Sequence, residues 1–291
     1  MLLSRRACAM ASSSTNSSPT TTMTSLPPIF YHYFAHPLPY TRTLALQEQL
    51  HQLQLAQRRI SGTHKDLLLL LQHRPVYTAG RRQISTSPEV LAEAERLRGI
   101  GADFVTTQRG GQTTYHGPGQ LVGYPLLDLA RSSPPLGIRA YICSMQRMLQ
   151  GHLLQAHGIQ HASSEHTGVF LDPQSKIASI GVQVRHRLTT HGFAMNITRE
   201  PLPWFEKTVA CGLADVKAAC IIDAVRDING TKSSNITVEG EVDGLVAKFG
   251  EEFQREMVKL DVSEEDEVSS AIRFVEEEAR KAGGWPERPV E

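Results

Sequence analysis

From about residue 28 onward, hydrophobic and polar positions alternate in two rhythms. Between Thr41 and Arg59, Leu44, Leu46, Leu50, Leu53 and Leu55 recur at helical steps with Gln and Arg between them, which predicts an amphipathic helix. Pro88 to Arg98 predicts a second helix, with proline in its first turn and Gly99 as its stop. A third runs from Ile138 to Ala156, where Ile138, Tyr141, Ile142, Met145, Leu149 and Leu153 share a face and Gly158 ends the run. Asp66 to Gln72 and Val76 to Ala79 read as short strands split by Pro75. Phe104 to Thr107 and Leu121 to Leu129 read as two more. A hairpin follows, in which Ala178, Ile180, Val182 and Val184 alternate with Ser179, Gly181 and Gln183. Its return, Thr189 to Ile197, places Phe193, Met195 and Ile197 on one face. Helical periodicity resumes over Val242–Val258 and Ser263–Ala282, the last stretch rich in Glu and expected on the surface. Strands and helices mix without strict βαβ alternation or internal repeats. The pattern predicts one α+β domain with a mixed or antiparallel sheet flanked by helices.

Composition narrows the function classes. The chain has 291 residues, 40% of them hydrophobic, enough for a core of ordinary size. The formal net charge of zero removes the strongest argument for a nucleic-acid partner. No apolar run approaches the roughly 18 residues of a membrane span. The charge is unevenly spread: Arg5, Arg6 and Arg42 precede the first acidic residue, Glu48, so the first 47 residues carry +3 and the remainder −3. Residues 11–25 are mostly Ser and Thr. Such an acid-free, Ser-rich, Arg-containing start suits a mitochondrial transit peptide; a disordered tail or an overlong start are the plainer alternatives. The expected organisation is a targeting or disordered segment over 1–27, a catalytic domain over 28–235, and a C-terminal helical extension over 236–291.

The four cysteines, Cys8, Cys143, Cys211 and Cys220, fit neither a zinc pattern nor a small disulfide framework. Free thiols in a reducing compartment are the expectation. None of the twelve histidines forms HExxH or another paired ligand spacing, and His152, His157, His161 and His166 follow a five-residue step that does not keep one helical face. Neither a metal nor a cofactor is expected. Cys143 reads as a helix packing residue, Cys220 as part of a buried apolar stretch, and Cys8 falls in the targeting segment.

The densest chemistry lies in Arg109-Gly110-Gly111-Gln112-Thr113-Thr114-Tyr115-His116-Gly117-Pro118-Gly119-Gln120. Glycine lets backbone N–H groups approach a ligand, and an arginine beside Gly-Gly has the look of an anion cradle. The run matches neither GxxxxGK[ST] nor GxGxxG, so the nucleotide motifs fail. By chemistry alone, a tight loop between strands and a ligand-binding loop remain equal readings.

With Tyr124 after it, this run resembles the signature of the lipoyl(octanoyl) transferase family of the LipB type. Lys176-Ile177-Ala178-Ser179-Ile180-Gly181 resembles that family's K-I-x-S-x-G strand, and His191-Gly192-Phe193-Ala194-Met195-Asn196 its H-G-x-A-x-N return strand. Cys211-Gly212 resembles its nucleophile site, and Pro75 to Arg81 also fits. The resemblance covers about residues 40–220. It implies the fold of biotin and lipoyl protein ligase and transferase catalytic domains. It further implies transfer of octanoyl or lipoyl from acyl carrier protein to a lysine of lipoyl domains, through a cysteine thioester and without ATP. The implied acceptors are the 2-oxoacid dehydrogenase E2 subunits and the glycine cleavage H protein. Cys211 falls on the nucleophile and Lys176 on the active-site lysine. The substrate contacts fall on Arg109 to His116, Ser179, Ile180 and Gly181, and Gly192, Phe193 and Ala194. One departure is Ala210, where the family usually has proline.

These assignments make chemical sense. A free thiol has a pKa near ~8.5, so a nearby ammonium favours the reactive thiolate. Lys176 supplies that charge and a proton relay if its strand meets the Cys211 loop. A Cys–His pair is the common alternative, with His116 and His191 the histidines to consider. Burying the seven methylene and methyl groups of an octanoyl tail at about 0.8 kcal/mol each gives roughly 5–6 kcal/mol. Gly181, Gly192 and Ala194 are candidates to line such a slot, and the Gly212 N–H is a candidate oxyanion donor. The rival activities are an ATP-dependent lipoate or biotin ligase and a cysteine-dependent acyl-thioester hydrolase. A carrier-binding module without turnover is the non-enzymatic rival.

Overall fold

The computed structural model describes residues 26–83, 86–208, 215–229 and 235–290. The targeting expectation for the first residues, and Ala210, Cys211 and Gly212, lie outside them.

Five consecutive leucines set the centre of the molecule. Strand β2 (Asp66–Leu71) is buried along its whole length, and successive side chains of a strand point to opposite faces. Leu68 and Leu70 therefore join one hydrophobic core, while Leu67, Leu69 and Leu71 join another. An uninterrupted apolar strand implies helices on both sides, and both are present. β2 pairs in parallel with β1 (Ile29–Tyr33) and antiparallel with β6 (Gln120–Leu126). β6 pairs antiparallel with β9 (Leu188–Asn196), and β9 with β8 (Ser175–Arg185). β10 (Lys217–Ala218) and β7 (Val169–Asp172) complete this side, both pairing with β8. At the far edge, β11 (Met257–Lys259) runs parallel to β1. Parallel and antiparallel pairs coexist, so the sheet is mixed, as the pattern predicted.

Helices α1 (Tyr40–Ser61) and α7 (Glu267–Lys281) cover one face. Helices α3 (Ile138–His157), α5 (Ile221–Asn229) and α6 (Val242–Phe253) cover the other. A small sheet of β3 (Val76–Ala79), β4 (Asp103–Thr106) and β5 (Thr114–His116) packs with α2 (Pro88–Gly99) and the single-turn α4 (Leu202–Phe205) around its own core of Tyr77, Leu97, Tyr115 and Trp204. α3 ends as expected, with Gly158 in the left-handed conformation at φ 67°. Within β9, Phe193 and Met195 enter the α3 face together with Ile197 beyond the strand end, and Ala194 enters the other.

Three expectations change. The helix predicted to reach Val258 stops at Phe253, because Gln254 takes a left-handed φ of 52° and the chain doubles back. Arg255 N–H then donates to Gly250 O at 3.0 Å, and a Cβ at Gly250 would stand 2.7 Å from Met257 Cγ. The reversal is what frees Met257–Lys259 to join the sheet. The Glu-rich last helix is not wholly superficial: Val268, Ile272 and Val275 are buried in the core shared with α1. The segment after residue 235, expected as a helical extension, supplies Leu245 and Phe249 to one core and Leu260 and Ile272 to the other.

Candidate active site

The glycine-rich run folds into a loop held from inside. Arg109 is buried, and its guanidinium donates to Thr78 O, to Gln112 O at 3.0 Å and to Gly110 O at 3.0 Å. It therefore organises the loop around itself. The outward anion cradle suggested by the sequence is not what these bonds build. Gly110 N–H donates to Val182 O at 3.0 Å, which docks the loop on β8. Two glycines are obligatory here. Gly111 has φ 96°, and a Cβ at Gly80 would lie 2.3 Å from Gly111 O.

Loop, β8 and β9 enclose a cavity of about 580 Å³. Arg109, Gly110, Gly111, Gln112, Thr114 and His116 line it from the loop; Ser179, Ile180 and Gly181 from β8; Gly192, Phe193 and Ala194 from β9; and Lys176 from one end. Thr113 and Tyr115, also expected at the site, do not line it. Thr113 Oγ1 donates to Gln83 Oε1 at 2.9 Å. Tyr115 faces the small sheet's core and stacks on Trp204 with ring centroids 5.4 Å apart. In a strand, neighbours of a cavity-facing residue point away, so Thr114 and His116 reach the cavity and Tyr115 cannot. Apolar lining comes from Ile138 and Ile142 of α3 together with Ile180, Val182 and Phe193.

Gly192 does more than leave room for a ligand. A Cβ there would sit 2.1 Å from Gly123 O and 2.5 Å from Pro125 Cδ, so glycine is what lets β9 close on β6. Just before it, His191 has φ 58°, an uncommon conformation for a residue with a side chain. Gln47, buried on α1, fixes this kink: its Oε1 accepts from His191 N–H at 2.7 Å. Gln54, about two turns further along the same buried face, donates to Leu126 O at 2.9 Å.

Buried rings form the cavity floor: Tyr40, His116, Tyr124 and His191 line it, and His73 packs behind them. His73 Nδ1 lies 3.1 Å from Leu38 O, and its Nε2 lies 2.6 Å from the Tyr124 hydroxyl. A carbonyl only accepts, so Nδ1 carries the proton and Nε2 accepts from Tyr124. Burial pushes His73 down to about 4. Burial, aided by the charges of Arg109 and Arg185, pushes His191 down to about 3. Burial, His73 and Arg109 together hold His116 well below the usual imidazole range. Burial raises Tyr40 to about 12 and Tyr124 well above the usual phenol range. The floor is thus neutral at physiological pH. This weighs against His116 or His191 as a base that must gain a proton during turnover. Among the described lining residues, Arg81, Arg82, Arg109 and Lys176 are cations and Glu165 is the one acid, a balance that favours an anionic occupant.

Lys176 stands where two strands meet. Its Nζ lies 5.3 Å from the centre of the Phe170 ring. The backbone of Gly168 makes room for the stem: a Cβ there would lie 2.6 Å from Lys176 Cε. Ala218 is the register partner of Lys176, and Ala219 N–H donates to Lys176 O at 2.9 Å. Cys211 precedes Lys217 of β10 by only six positions, so the chain can place it no more than about 20 Å from that strand. Asn196 anchors the same stretch, donating to Ala219 O at 2.8 Å and accepting from Gln120 Nε2 at 2.9 Å. Gln120 and Asn196 stand inside the recognised motifs, but only long-range hydrogen bonding reveals their bracing task. Cys220, read from the sequence as part of a buried apolar stretch, is buried and pushed up to about 12, chiefly by that burial; it is a packing residue. Cys143 lies on α3 and does not line the cavity.

A mixed sheet between helices, with a glycine-built loop closing a cavity over it, is the architecture of the lipoyl protein ligase A/B catalytic domain, whose family model matches residues 39–250. An octanoyltransferase of Koribacter versatilis (strain Ellin345) is 35% identical over 228 residues, covering 76% of this chain and 83% of that protein. The mitochondrial octanoyl-[acyl-carrier-protein]:protein N-octanoyltransferase of Homo sapiens is 36% identical over 232 residues, covering 77% and 93%. The chain belongs to the octanoyltransferases of this family. Among solved structures, the archaeal bi-partite lipoate protein ligase of Thermoplasma acidophilum, from a study that includes its E2 lipoyl domain, superposes with a TM-score of 0.58 at 15% identity, covering 91% of this chain and 98% of that one. That likeness is one of fold.

Proposed function

We propose that the chain moves an octanoyl group from acyl carrier protein to a lysine of a lipoyl domain through a thioester on Cys211. The carrying observation is the pairing of β10, six residues beyond Cys211, with the strand that presents Lys176 to the cavity. The Cys211 thiolate attacks the carrier thioester carbonyl. The tetrahedral intermediate collapses, the C–S bond to the carrier breaks, and the carrier thiol leaves with a proton relayed through Lys176. The acceptor lysine, as a neutral amine, then attacks the new thioester. It gives up a proton as the amide forms, and Cys211 is released. The apolar lining accommodates the acyl tail, and the cationic rim suits the thiolate. The names of the relatives support the donor and the reaction. Acceptors of the E2 and H-protein type, and mitochondrial residence, follow the same reading. The human relative's name and the acid-free first 47 residues support the location.

The test is intact-mass analysis after mixing the protein with octanoyl-acyl carrier protein and no ATP. Wild type should gain one octanoyl group on Cys211, and adding a lipoyl domain should discharge it. No mass gain, or an undiminished gain on Cys211→Ser, removes the nucleophile; dependence on ATP shifts the reading to a ligase; release of free octanoate in place of transfer shifts it to a hydrolase.

A further inference from the structure

Away from the cavity, α3 ends in two histidines that the transfer reaction does not use. His152 is buried within the helix, and His157 is its last residue. Five positions apart, they lie about 140° apart around an ideal helix, so helical geometry alone does not gather them. A third element does. Glu241 closes the 3-10 turn Glu239–Glu241 that leads into α6. His152 Nε2 lies 2.7 Å from Glu241 Oε2, and His157 Nε2 lies 2.8 Å from the same oxygen. The two rings are nearly perpendicular, with centroids 6.0 Å apart. All three atoms fall within 4.8 Å of one another, the one such gathering of three His, Cys, Asp or Glu groups among the described residues.

Two imidazole nitrogens and a carboxylate oxygen form a ligand set suited to a borderline divalent cation, and zinc is the cation this chemistry favours. Space beside the trio is open to adjustment: Gly244, in the first turn of α6, carries no Cβ, and one placed there would stand 3.3 Å from His152 Cε1. The His157 side chain keeps 11% of its surface exposed, which gives a cation a route in.

We propose that His152, His157 and Glu241 bind a zinc ion that staples the C-terminal end of α3 to the start of α6. Each imidazole moves its proton from Nε2 to Nδ1, and the metal replaces the two hydrogen bonds to Glu241. The two nitrogen–oxygen separations, 2.7 and 2.8 Å, must lengthen to roughly 3.3 Å for tetrahedral bonds of about 2.0–2.2 Å to form. The site is structural. The other end of α3 carries Ile138 and Ile142 into the acyl cavity, so the staple steadies a cavity wall without touching the reacting atoms.

The full chain, stripped with a chelator, is titrated with zinc chloride alone and followed by bound-metal analysis and thermal melting. One equivalent should bind and raise the melting midpoint. His157→Gln, at the exposed helix end where the fold is least at risk, should bind at least about tenfold more weakly; Glu241→Gln should behave alike. Octanoyl transfer by metal-free His157→Gln should match that of metal-free wild type. Cobalt(II) should give the spectrum of a nitrogen- and oxygen-ligated ion without thiolate charge transfer. The absence of zinc uptake by wild type, uptake undiminished in both variants, or a thiolate band in the cobalt spectrum overturns the proposal.

Discussion

The two ends of the cavity are built on opposite principles. Its floor is a set of rings, Tyr40, His116, Tyr124 and His191 with His73 packed behind them, that are buried and held neutral. Its other end holds Lys176, on a strand edge flanked by β7 and β10 and beside a backbone that a glycine leaves open. Burial freezes protonation, because desolvation penalises the charged form. The floor is suited to shape and hold a substrate, whereas under the proposed mechanism the Lys176 end carries the proton relay. The contrast teaches that a high density of histidines does not by itself mark acid–base catalysis.

The strongest way to break the contrast is to remove the lysine at the open end. Lys176→Ala should lower octanoyl transfer by about 10²–10⁴-fold, the usual worth of a positioned acid–base group. It should leave the melting temperature nearly unchanged, and the pH profile of Cys211 alkylation should move upward. Transfer rates within a factor of two of wild type would return Lys176 to an ordinary strand residue.

Acid titration probes the other end. In the unfolded chain an imidazole titrates near 6.5, whereas His73 in the folded protein titrates at about 4. The folded state thus binds fewer protons, and stability falls as pH drops. The stability is fully present above about 6.5 and is lost progressively down to about 4, amounting to about 3 kcal/mol for His73 alone. His191 and His116 act in the same direction. Most paired carboxylates titrate lower, so imidazoles dominate this window. His73→Gln can donate to Leu38 O and accept from Tyr124 without titrating. Denaturant melts between pH 7 and 4.5 should show a clearly flatter slope for the variant; equal slopes would mean that His73 protonates freely when folded.

How much of this was legible in the sequence follows the range of the interactions. The five leucines of β2, the alternation along β9 and the Gly158 stop of α3 are local signals, and the structure bears each of them out. The ordered motifs also delivered most of the cavity lining. What stayed hidden depends on partners distant in sequence. β11 is three residues long, too short for a period, and exists because β1 offers an edge. Tyr115 was grouped with its neighbours although strand alternation turns it to Trp204. The convergence of His152 and His157 needs Glu241, more than 80 positions away. α1 was readable as a helix by its leucines, yet its buried face also carries Thr43, Gln47, His51 and Gln54. Such residues look like a solvated stripe until the backbone groups they satisfy are known.

Gln47 gives the finest test of how the floor is held in place. His191 sits in a left-handed conformation within a strand, and its N–H is buried and accepted by the Gln47 side chain. Gln47→Leu keeps the approximate volume and removes the acceptor. A buried N–H without a partner costs about 1–3 kcal/mol, and the strain at His191 then loses its counterweight. A loss of about 1–2 kcal/mol in stability is expected, together with a rise in KM for the octanoyl donor as the β9 wall shifts. The chemical step should be spared, because Lys176 lies on a different strand. A Gln47→Leu protein whose kcat falls while KM stays constant would show that the floor takes part in the chemistry and does more than shape the cavity.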